Sequence, residues 1–148
     1  MKPVKTWILI ADGAHGRLFE NRGPGTGLEA INEEFEADHR PDHEIVTDHL
    51  GRTFESAYSA RHAIAPRHDP HRELKRDFAK SLAKLLDRRR QEHAFDRLII
   101  VAPPKVLGDL RNALSESVRE LVSAELDKDL TKTPVGDLPG HLVGMLAV

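Results

Sequence analysis

The sequence contains no cysteine. Disulfides, thiolate zinc sites and cysteine nucleophiles are therefore excluded. Nor is one sign of charge in surplus: 22 Lys and Arg stand against 24 Asp and Glu, a net −2 with histidine neutral. That balance argues against a strongly basic nucleic-acid binder and against an acidic disordered tail. Long apolar runs are missing too. The longest, 7–11 and 98–104, fall far short of the ~20 residues of a membrane span. The first of them meets Asp12 too soon for a secretory h-region of about 7–15 residues. The expectation is a soluble, cytoplasmic chain with no membrane span. At 148 residues the length suits one domain, 1–148. The residue in excess is histidine, with nine copies.

Val4 to Ala11 is a short apolar run with β-branched and aromatic members and reads as a buried strand. Asp12-Gly13 predicts a tight type I′ hairpin turn, whose central positions need positive φ. Gly16–Asn21 is the second strand, Gly23-Pro24-Gly25-Thr26-Gly27 a loop, and Leu28–Phe35 a third strand completing an antiparallel meander. A long loop, 38–71, follows, with Pro41, Pro66 and Pro70 and no sustained period. Leu74, Phe78, Leu82, Leu85 and Leu86 then form one apolar stripe on a helix from Pro70 to Glu92. Arg97–Ala102 reads as a central strand buried on both faces. A helix over Lys105–Leu114, a helical turn opened by Ser115, a half-buried strand over Val122–Asp127 and a closing helix over Pro134–Leu146 complete the chain. A meander followed by β-α units predicts a single-domain α/β fold, with a mixed five-stranded sheet and helices on both faces. That three-layer order matches the ribonuclease-H-like architecture.

Candidate chemistry concentrates in the long loop and the long helix. Six of the nine histidines, His39, His43, His49, His62, His68 and His71, fall within 38–71. His39 with His43, and His68 with His71, have spacings usable by a metal if locally helical. No H-E-x-x-H motif accompanies them, so solvated or hydrogen-bonded histidines are the plainer reading. The long helix carries Arg72, Arg76, Lys80, Lys84 and Arg88 at four-residue steps, each advancing about 40° around the axis. This slanted basic stripe opposes the apolar one and suits a phosphate backbone. Glu73, Asp77 and Asp87 dilute it, no aromatic stands in it to stack on bases, and a plain solvated face competes with the binding reading. The glycines at 23, 25 and 27 precede a strand rather than a helix, so they lack the anion-binding helix start of a nucleotide loop. A ribonuclease-type metal site is not assembled either. Asp12 is the sole acid near the first strand, where it suits a turn, and the fourth strand ends in Ala102-Pro103-Pro104. No catalytic residue is assigned and no cofactor is expected.

Three blocks carry a family resemblance. They are Ala11-Asp12-Gly13-Ala14 with Arg17-Leu18-Phe19-Glu20; Val101-Ala102-Pro103-Pro104 with Leu107-Gly108-Asp109-Leu110-Arg111 and Leu114; and the run from Glu125 to Thr131. Together they resemble the bacterial host attachment protein family, small proteins named for a role in attachment to host cells. That family is similar in turn to the middle domain of bacterial and archaeal relatives of class I peptide release factors. The resemblance implies the ribonuclease-H-like fold. Release-factor middle domains carry Gly-Gly-Gln in the loop before the long helix. The corresponding stretch here is Gly51-Arg52-Thr53-Phe54-Glu55, and no Gly-Gly-Gln occurs anywhere, so peptidyl-tRNA hydrolysis by that route is unsupported.

Three functions follow as expectations. The first is a non-enzymatic binding or regulatory protein acting indirectly in host attachment. The second is a translation-associated factor that binds tRNA or the ribosome through Gly51, Arg52, Arg72, Arg76, Lys80, Lys84 and Arg88. The third is a metal-dependent hydrolase using His39, His43, His68 and His71. A protein partner, or a homodimer through a meander edge or the loop, is compatible with all three.

Overall fold

The computed structural model describes residues 3–31 and 70–148. Strands β1 (Thr6–Ala11), β2 (Gly16–Asn21) and β3 (Glu29–Ala30) are followed by helix α1 (Pro70–Gln91) and strand β4 (Arg97–Ala102). Helices α2 (Pro104–Ala113) and α3 (Glu116–Arg119), strand β5 (Val122–Asp127), a 3₁₀ turn (Val135–Asp137) and the single-turn α4 (Leu138–His141) complete it. The fold is α/β. Its five-stranded mixed sheet has the order β3-β2-β1-β4-β5. β1 pairs antiparallel with β2 and parallel with β4, and β4 pairs parallel with β5.

β1 and β4 form the middle of the sheet because their unbroken apolar runs can be buried on both sides. Alternation splits each run between two cores. Trp7, Leu9, Leu98 and Ile100 face α1 and α2, where Phe78, Leu82, Leu86, Val106 and Leu110 close over them. Ile8, Ile10, Ile99 and Val101 face the other way, onto Leu130, Leu138 and Leu142 of the chain's last stretch. The Trp7 ring lies 4.9 Å from that of Phe95, and its Nε1–H donates to Glu20 at 3.0 Å. α1 stops where His93 takes a left-handed φ of 60°. α3 starts on Ser115, whose hydroxyl accepts the Val118 N–H at 3.2 Å and donates to Asp87 on α1 at 3.0 Å.

Three expectations need correction. Asp12-Gly13 is not a type I′ turn: neither residue has positive φ, and four residues, Asp12 to His15, link β1 to β2. The Asp12 carboxylate explains the difference, since it accepts the N–H groups of Ala14 and His15 and closes the wider turn itself. The third strand is only two residues long among the described residues, and 32–35 lie outside them. The closing helix over 134–146 is broken into the 3₁₀ turn and α4. Pro139 has no N–H to give, and Gly144 turns left-handed at φ +92°.

Candidate functional site

Of the five stripe residues on α1, Arg76, Lys80, Lys84 and Arg88 are exposed, on the side away from buried Phe78, Leu82, Leu85 and Leu86. None of these four forms an ion pair among the described residues. At about 1.5 Å of rise per residue the row spans about 18 Å. Arg72 is set apart from it. Its guanidinium turns onto α2 and meets Asp109 at 2.6 Å, with only 9 % of the Asp109 side chain exposed. Asp87 is diverted from the basic face as well, because its carboxylate takes bonds from Ser115 and Gln91. The opposing acids left exposed on α1 beside the row are Glu73 and Asp77.

His71 lies in the first turn of α1 and is half-buried. Gly51, Arg52, His39, His43 and His68 lie outside the described residues. Among the described residues no three His, Asp or Glu side chains come together as a metal-ligand group.

A second cluster was less visible in the sequence. Arg17 on β2 reaches across the sheet end, where one of its terminal nitrogens donates to the carbonyls of Leu130, Thr131 and Thr133 at 3.0, 3.3 and 2.6 Å. Its guanidinium also lies 5.1 Å from the centre of the Phe19 ring. The Thr131 hydroxyl approaches the Asp12 carboxylate at 3.4 Å. Arg111 on α2 pairs with Glu125 on β5. The first and third sequence blocks, far apart in the chain, are therefore tied together at the carboxyl end of β1, and the second is tied to the third by Arg111 and Glu125 beside the middle of β5. The signal available beforehand was the blocks' joint occurrence, which carries no distances.

Burial pushes the Asp12 carboxyl up, but the N–H bonds from Ala14 and His15 and the nearby His15 ring outweigh it, so its pKa sits below the ordinary 3.8. A depressed carboxyl stabilises the fold at pH above 3.8, and the contribution is lost as pH falls through the lowered value. Urea midpoints measured between pH 5 and pH 2 should therefore fall less steeply in Asp12→Asn than in the parent. An identical slope would show that the turn makes no such contribution.

The fold and these clusters define an α/β protein with polar side chains gathered at the carboxyl end of β1 and a row of cations on one helix. A family model described as "Protein required for attachment to host cells" matches residues 7–142, so the chain belongs to the host attachment family. A comparison with curated proteins finds no match. No helix among the described residues is long and apolar enough to cross a membrane.

Proposed function

We propose that this member of the host attachment family is a non-enzymatic binding protein that holds RNA, such as tRNA or the ribosome, along the basic face of α1. The observation that carries the reading is the exposed row Arg76, Lys80, Lys84 and Arg88, without ion-pair partners among the described residues. Such a row gains by releasing counterions from a phosphate backbone. The sheet order β3-β2-β1-β4-β5 supports a ribonuclease-H-like domain over 1–148, and with it the likeness to release-factor middle domains. Regulation through an RNA partner would act on attachment at one remove.

Mobility shifts of tRNA across a salt series test this. Four phosphate contacts predict a slope of log K against log salt of about −3. The variant carrying Arg76→Glu, Lys80→Glu, Lys84→Glu and Arg88→Glu should lose the shift while keeping its far-ultraviolet circular dichroism. Unchanged binding by that variant, or a slope near zero, overturns the proposal.

A further inference from the structure

We infer that the cleft between the carboxyl ends of β1 and β4 is a binding site for a phosphate monoester, with Lys75 and Lys105 as its charged walls. The cleft is distinct from the exposed row on α1 and stands whether or not that row binds RNA. It arises from the topology. β1 and β4 run side by side and parallel, but after Ala11 the chain turns back into β2, and after Ala102 it leaves in the other direction into α2. Where neighbouring parallel strands send their continuations apart, a crevice opens at their carboxyl ends. Here it measures about 450 Å³. That is ample for a phosphate carrying an organic group of nucleoside size.

Its lining is cationic. Arg72, Lys75 and Lys105 contribute three positive charges and Asp12 one negative. Arg72 is answered by Asp109, whereas Lys75 and Lys105 have no ion-pair partner among the described residues. The Asp12 carboxylate is already occupied by the N–H groups of Ala14 and His15, at 2.8 and 2.6 Å, and by the His15 ring at 3.3 Å. Two unanswered ammonium groups match the double charge of a phosphate monoester better than the single charge of a carboxylate.

Two further features favour an anion there. The stem of Lys75 lies over Gly13, so closely that a Cβ on that glycine would come within 2.6 Å of the lysine Cγ. The missing side chain is what lets Lys75 lie across the β1–β2 turn and line the cleft. The first turn of α2 forms part of the wall through Pro103, Lys105 and Val106, and no side chain caps it. The N–H groups of Lys105 and Val106 have no acceptor within the helix and add the positive end of its dipole.

Titration of the ¹⁵N-labelled full chain with AMP, inorganic phosphate and adenosine tests the site. AMP should move the amides of Gly13, His15, Lys105 and Val106, and adenosine should not. Tighter binding of AMP than of phosphate identifies an ester ligand, whereas equal binding would overturn the ester and leave a site for the free anion. Lys75→Gln combined with Lys105→Gln should weaken AMP binding by about tenfold or more, a loss of about 1.4 kcal/mol per decade. The quadruple α1 variant should bind AMP like the parent. No movement of those four amides at AMP concentrations about tenfold above a millimolar Kd, or full affinity in the double variant, overturns the inference.

Discussion

Leu110→Ala should destabilise the protein by about 2–5 kcal/mol, the usual cost of emptying a leucine-sized volume in a packed core. Leu110 has no exposed surface and sits in the cluster where α1 and α2 close over the sheet. Alanine removes the buried apolar area and leaves a cavity that two helices and a strand cannot all move to fill. Near the middle of that range the melting temperature should drop by about 7–14 °C for a chain of this size. Urea denaturation checks it through a lower midpoint at unchanged slope. Val143→Ala is the control: Val143 is 77 % exposed, and its loss should shift stability by no more than about 0.5 kcal/mol. A small effect at Leu110 would mean that α2 is not seated on the sheet as described.

Arg17→Ala should cost about 2–3 kcal/mol, and the damage should be local to the chain after β5. The side chain serves three carbonyls in the segment Leu130–Thr133, a stretch that has little regular structure to satisfy them otherwise. Without the guanidinium those carbonyls lose a charged donor, and the contact over Phe19 goes with it. Lysine keeps the charge but lacks the planar head, so Arg17→Lys should recover only part of the loss. Hydrogen exchange should show amides around Leu138–Leu142 opening more readily in Arg17→Ala, while β1 and β4 change little. Uniform loss of protection, or none, would show that Arg17 does not tether that segment.

Both residues show how unevenly the molecule could be read beforehand. The burial of Leu110 follows from helical spacing, because Val106, Leu107 and Leu110 fall on one face of α2. The same logic places α1 to within a residue and β4 and β5 at their observed limits. The task of Arg17 has no such signature. Its acceptors are backbone carbonyls more than a hundred positions away, and any residue type can supply a carbonyl. The stripe on α1 was legible as a pattern, yet the pattern could not reveal that Arg72 leaves it for Asp109, or that Asp87 turns to Ser115. The hairpin failed for a related reason. Asp-Gly favours a two-residue turn, but the Asp12 side chain competes for the backbone N–H groups and closes a longer one.

The absence of cysteine and of long apolar runs, the even charge and the apolar periodicity are properties of the chain itself. They indicated the α/β class, the order of its elements and the burial of β4 on both faces, because period and local propensity show which faces of an element are apolar. The surplus of histidine pointed at 38–71, of which 38–69 lie outside the described residues. Tertiary structure alone decided which cations stay exposed, which are neutralised, and that Lys75 and Lys105 meet at one crevice. The reason is physical: an ion pair or a cleft is a distance between groups remote in sequence, and such distances are set by how strands pair and helices pack over them.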